Sequence, residues 1–135
     1  MEKELKGLNR SKALLLLFAV VAFCRAASAS PQPAAEIIMF EQQGCEWCTV
    51  WDEQIAPVLP KTPEGKCARF RRVDIHDKRA DILRQLKPII YTPTFVVMEN
   101  GKEVGRVLGY AGEDFFWFHL GNELKKLKTP CKLPG

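Results

Sequence analysis

The sequence predicts an α/β domain built on one four-stranded mixed sheet with helices on both faces, in the order β-α-β-α-β-β-α. Three observations carry that prediction. The apolar run Glu36-Ile37-Ile38-Met39-Phe40 passes into helical spacing from Glu46, and a second strand-then-helix unit follows. Asn100-Gly101 then marks a tight hairpin ahead of a last amphipathic stretch. A parallel βαβ unit followed by a hairpin and a helix builds such a sheet and covers both of its faces.

Glu36 to Phe40 has the composition of a buried strand, and Gln42-Gln43-Gly44 breaks it. Trp47, Val50, Trp51, Ile55 and Val58 recur at three- and four-residue spacing, predicting a helix that Pro57 and Pro60 stop. Thr62-Pro63-Glu64-Gly65-Lys66 reads as a turn or loop. A second strand runs from Ala68 to Ile75, with Phe70, Val73 and Ile75 as its apolar residues. Asp77 or Asp74 caps the helix that follows, which buries Ala80, Ile82, Leu83 and Leu86 and ends at Pro88. After Ile89-Ile90-Tyr91-Thr92-Pro93-Thr94 comes a strand at Phe95–Met98, which Asn100-Gly101 turns into Val104–Leu108. Gly109 and Gly112 make the exit. The last helix spans 113–127, with Phe116, Leu120, Leu124 and Leu127 on one face, and Thr129-Pro130 ends it.

The first 29 residues read as a cleaved signal peptide. Lys3, Lys6, Arg10 and Lys12 make a basic start, Ala13 to Cys24 is an uncharged apolar run, and Ala27-Ser28-Ala29 fits the small-residue cleavage pattern. That run is shorter than the roughly 20 residues a membrane span needs, although an uncleaved anchor is the alternative. A lipoprotein signal fits less well, because Phe23 is bulky where a small residue belongs. Residues 30–35 are then a short extended tail, held irregular by Pro31 and Pro33, and 36–135 form the domain.

Cleavage after Ala29 changes the charge balance. Of 20 Lys+Arg and 16 Asp+Glu, five and two lie in the leader, so 15 and 14 remain and the mature charge is near +1. No polybasic run survives, which removes nucleic acid as a partner. Four cysteines remain, Cys45, Cys48, Cys67 and Cys131, an even count suited to an exported protein.

The chemistry points to Cys45-Glu46-Trp47-Cys48, placed where the first strand gives way to a helix. A helix start presents unpaired N–H groups and a partial positive charge, which favour a thiolate. Two intervening residues let the second thiol reach the first within one turn. Cys45 is the candidate attacking thiol, and Cys48, one turn deeper, the candidate resolving thiol. A structural disulfide or half of a zinc site are the alternatives. Zinc needs a second close pair, which Cys67, Cys131, His76 and His119 do not form in sequence, so no metal is expected.

Together with Thr92-Pro93-Thr94 before the hairpin, 44 residues beyond Cys48, this unit resembles the thioredoxin superfamily over about residues 36–127. The resemblance implies a trimmed thioredoxin fold, because the tail is too short for the family's extra first strand and helix. It implies a cis Thr92–Pro93 bond beside the cysteines, with Thr92 offering backbone groups to a substrate chain. It implies an enzyme, a protein-disulfide reductase or thiol–disulfide oxidoreductase that needs no cofactor. Such proteins resemble the periplasmic thioredoxin-like members of bacterial sulfur-oxidation (Sox) and cytochrome-maturation systems, which act on protein disulfides and are recharged by a membrane electron donor.

This chain departs from the pattern at three points. Met39 stands where a cytoplasmic thioredoxin has a buried aspartate, and Glu41 where an aromatic is frequent, so Glu41 or solvent must handle the resolving proton. Glu46-Trp47 between the cysteines puts a carboxylate beside the thiolate, which opposes ionisation and favours a reductase or balanced exchanger. The alternative function is a thioredoxin-fold binding or redox-sensing module without turnover.

Cys67 opens the second strand and Cys131 follows the last helix, so both fall at the pole away from Cys45, and a stapling disulfide between them is expected. Two free thiols, with Cys131 available for dimerisation, are the alternative. His76 and His119 read as surface residues. Phe115, Phe116, Trp117 and Phe118 cannot all face inward, so some are expected to be exposed, either as a docking patch or as ordinary packing.

Overall fold

The central strand pair explains the architecture. The computed structural model describes residues 35–78, 80–129, 131 and 133; the expected leader 1–29 and residues 30–34 of the tail lie outside them. β1 (Ala35–Glu41) begins one residue earlier than expected, with Ala35 paired to Glu99. It runs parallel to β2 (Arg69–Asp74) and antiparallel to β3 (Thr94–Glu99), and β3 pairs antiparallel with β4 (Lys102–Leu108). The sheet order β2-β1-β3-β4 puts β1 and β3 inside, which is why their sequences are continuous apolar runs.

Alternation along β1 divides the core in two. Ile37 and Met39 face Trp51, Ile55, Phe116, Leu120 and Leu124, which come from α1 (Glu46–Gln54), the turn after it and the last helix. Ile38 and Phe40 face the other way, onto Val73, Val96 and Met98, under Ala80, Ile82, Leu83 and Leu86. Trp51 is fully buried and anchors the first layer, with ring centroids 5.4, 5.2 and 5.8 Å from Phe70, Phe95 and Phe116.

Several elements differ from expectation. α1 stops at Gln54, because the residue before Pro57 is driven away from helical geometry. Val58 is therefore outside it, and Trp47 lies off its buried stripe. A 3-10 turn, Leu59–Lys61, follows, and the expected loop at 62–66 is instead a short helix, α2 (Pro63–Cys67). Its signals were present: the Thr62 hydroxyl accepts the Gly65 N–H at 3.1 Å, and Pro63 occupies the first helical position. The helix expected after β2 shrinks to one turn, α3 (Ile82–Gln85), without a side-chain cap. The Asp74 carboxylate is used earlier, accepting the His76 N–H at 2.7 Å in the preceding turn.

The hairpin turn has positive φ at both Asn100 (49°) and Gly101 (77°), the geometry that suits a twisted two-residue connection. The last helix, α4 (Glu113–Leu124), ends before Leu127, whose N–H reaches back to the Leu124 carbonyl in a tighter 3-10 bond. Leu127 remains buried. At the Ala35 end of the sheet, Cys67 and Cys131 are joined in a disulfide with Cα atoms 5.4 Å apart, and the Thr129 N–H donates to the Glu99 carboxylate at 2.9 Å.

Candidate active site

The first turn of α1 is started by a sulfur. Gly44, at φ 75°, turns the chain out of β1, and the Cys45 N–H returns to the Gln42 carbonyl at 3.2 Å. This leaves Cys45 as the N-cap in extended geometry, with its Sγ accepting the Cys48 N–H at 3.2 Å. Serine, threonine and aspartate usually fill that role; here the acceptor is the candidate nucleophile itself. Cys45 and Cys48 form a disulfide with Cα atoms 5.2 Å apart. Cys45 is half-buried, whereas Cys48 is 4% exposed, so an incoming group meets Cys45 first. Glu46 and Trp47 are exposed, Trp47 by 57%.

The Thr92–Pro93 bond is cis. Gln42 ties this loop to the cysteine loop, its side-chain amide donating to the Thr92 hydroxyl at 3.1 Å. The Pro93 carbonyl is pinned by the Gly109 N–H at 2.7 Å, and the Thr94 hydroxyl donates to the Tyr91 carbonyl at 2.7 Å. Ile90 and Tyr91, immediately before Thr92, are 75% and 64% exposed, so apolar surface borders the loop.

The polar surroundings of the cysteines lie one layer out. Met39, fully buried, is in register with Arg72 on the neighbouring strand. Arg72 binds Glu41 through Nε at 2.9 Å and Nη2, and Asp52 through Nη1 at 2.6 Å and Nη2 at 3.0 Å. Hydrogen bonding to Glu41 and then Asp52 pushes the Arg72 guanidinium pKa up, which keeps it charged. Glu41 is thus an ion-pair partner. Asp52 is one turn beyond Cys48 on the same face of α1.

By sequence pattern Gln42 breaks a strand and His76 is a surface residue. The structure joins them, with His76 Nε2 3.1 Å from Gln42 Oε1. Nothing in the local pattern marks Arg72 or Asp52: strand register sets Arg72 beside β1, and Arg72 then joins Asp52 of α1 to Glu41. Cys67 and Cys131 are at the opposite end of β1 from Cys45, as the pairing of Glu36 with Arg69 and of Glu41 with Asp74 requires. Phe115, Phe118 and His119 are exposed on α4, while Phe116 is buried. Among the described residues no group of three or more His, Cys, Asp or Glu is placed to hold a metal ion.

No family model and no curated protein matches the chain. Solved structures do. The periplasmic thioredoxin SoxS from Paracoccus pantotrophus, in its reduced form, is 41% identical over 68% of this chain and 97% of its own, with a TM-score of 0.63. A thioredoxin from Malassezia sympodialis is 28% identical over 67% of this chain and 75% of its own, with a TM-score of 0.51. Mitochondrial thioredoxin 3 from Saccharomyces cerevisiae, in its oxidised form, is similar in fold, at 22% identity over 67% and 80% of the two chains and a TM-score of 0.52.

Proposed function

The chain belongs to the thioredoxin superfamily, and from that membership we propose a periplasmic enzyme that reduces or exchanges the disulfides of protein substrates. It is a thiol–disulfide oxidoreductase with a Cys-x-x-Cys pair. The observation that carries the proposal is the Cys45 sulfur at the N-cap of α1, accepting the Cys48 N–H.

In the reduced enzyme the Cys45 thiolate attacks one sulfur of a substrate disulfide, and the other substrate sulfur leaves as a thiolate. The resulting mixed disulfide is attacked by Cys48. The substrate departs as a dithiol and the Cys45–Cys48 disulfide remains. Two electrons from a membrane donor restore the dithiol.

Trp47, Ile90 and Tyr91 supply apolar contact, and the Thr92 backbone beside Pro93 aligns the substrate chain. Glu41 and Glu46 tune the pair. Glu46 opposes ionisation of Cys45, which favours a reductase or a balanced exchanger over a strong oxidant. The leader over 1–29, cleaved after Ala29 to leave the domain at 36–135, supports export, as does the similarity to a periplasmic protein. That similarity also supports a place among sulfur-oxidation-associated thioredoxins.

Insulin reduction driven by dithiothreitol tests the reading. Turbidity should rise with the wild type and stay at background with Cys45→Ser, while Cys48→Ser should accumulate a mixed disulfide. Background rates in all three would leave a redox-sensing or binding module without turnover.

A further inference from the structure

The second disulfide lies where no step of the proposed cycle reaches it. β1 separates it from the Cys45 pole by the length of a seven-residue strand, about 20 Å. Beside it is a surface depression of about 360 Å³ lined by Lys61, Pro63, Lys66 and Cys67. Cys131 does not line it. Both lysines are exposed, and among the described residues neither is within ion-pair distance of a carboxylate. Glu64, on the same short helix, is not part of the lining. Cys67, half-buried and held in its disulfide, therefore lines a pocket whose charged side chains are both cationic.

We propose that this depression is a second thiol-exchange site, which admits small anionic thiols to the Cys67 sulfur of the Cys67–Cys131 disulfide. An incoming thiolate approaches along the S–S axis from the side of the sulfur it attacks. The depression lies on the Cys67 side, so Cys67 is the sulfur attacked from it. The new bond joins the incoming sulfur to Cys67, the Cys67–Cys131 bond breaks, and Cys131 leaves as a thiolate. Cys131 then takes up the proton that the incoming thiol lost. One disulfide is consumed and one is formed, so no outside oxidant or reductant is needed. Lys61 and Lys66 select for negative charge by raising the local concentration of anions, an effect that weakens as salt rises. Exchange cuts the covalent tie on Cys131 and leaves the packing of Cys131 and Leu133 against the core, with the Thr129–Glu99 hydrogen bond beside it.

The test uses the full chain carrying Cys45→Ser and Cys48→Ser, so that reactivity at the other pole is silent and failure of the proposed enzyme activity has no bearing on the result. It is treated with glutathione (anionic) or cysteamine (cationic) at matched thiolate concentration. Samples are quenched with acid and alkylator and mapped by peptide mass spectrometry. The expected result is a glutathione adduct on Cys67 with Cys131 alkylated. Glutathione should react about tenfold faster than cysteamine at low salt, and the preference should collapse toward parity in high salt or in a Lys61→Gln, Lys66→Gln variant. A first adduct on Cys131, a rate for cysteamine equal to or above that for glutathione, or no exchange with either thiol would each overturn the proposal.

Discussion

Removing the Cys67–Cys131 bond tests how much of the fold's stability lies in one covalent tie. The two cysteines are 64 residues apart in sequence. Closing a ring of that length lowers the entropy of the unfolded chain by about 14 cal/mol/K, or about 4 kcal/mol at room temperature. A small domain has only about 5–15 kcal/mol of net stability, so the bond is a large share of it. The perturbation is Cys67→Ser with Cys131→Ser in a Cys45→Ser, Cys48→Ser background, which removes the short disulfide from the comparison. Urea unfolding should give a stability lower by about 4 kcal/mol. It should also give a steeper denaturant dependence, because an untied unfolded chain exposes more surface. In thermal scans the same loss is a fall in Tm of roughly 15–30 °C for a domain near 100 residues. Adding dithiothreitol to the form that keeps Cys67 and Cys131 should reproduce the loss without substitution at either of them. A difference below about 1 kcal/mol, with unchanged slope, would refute the reasoning.

Three further outcomes follow from side chains already placed. Gln42→Ala deletes the hydrogen bonds to Thr92 and His76, and at about 1 kcal/mol for such a bond it should lower kcat/KM for insulin reduction about fivefold with little change in Tm. Glu99 is held below the usual carboxylate range by the Thr129 and then the Lys128 backbone N–H. A depressed folded-state pKa gives stability that is present above the unfolded value and lost as pH falls through the folded one. Urea midpoints from pH 7 down to pH 3 should therefore fall less steeply in Glu99→Gln than in the wild type, and parallel curves would contradict this. Gly65→Ala should destabilise the protein although alanine is the better helix former by about 1 kcal/mol. Its Cβ would sit 1.9 Å from the Leu59 carbonyl oxygen, a backbone atom that cannot swing aside, so calorimetry should show a net loss of about 1–3 kcal/mol.

Most of the fold could be read from residue patterns because β1, β3 and the hairpin carry unambiguous local signals. Ile37 to Phe40 and Phe95 to Met98 are apolar without interruption, and Asn100-Gly101 has one strongly preferred geometry. Helix ends are less legible. Leu127 is buried although a tightened last turn ends α4 before it, whereas Val58 lies past Pro57, outside α1, and is exposed. Residues 62–66 carry the Pro and Gly of a turn, yet Thr62 and Pro63 are equally the signals of a helix start, and the helix forms. At the site, the cysteine pair and Thr92-Pro93 stand out by motif. Gln42, His76 and Arg72 do not, since their relation to the cysteines depends on the register of β1 with β2 and on a bond between two loops 50 residues apart, whereas Asp52, four residues beyond Cys48 on α1, is within reach of local spacing. Side chains that act by reaching across the fold leave no trace in local spacing.

In α1, chemistry and architecture share an atom. The sulfur that meets the substrate also finishes the helix, so each turnover disturbs the frame at the point where bonds are changing. While Cys45 carries a substrate, the Cys48 amide faces a neutral disulfide sulfur, as it does in the oxidised pair, in place of the anion of the reduced one. Discharge of the adduct brings the charge or the ring back. The half-way state thus has neither the anion nor the Cys45–Cys48 ring at the opening turn of α1.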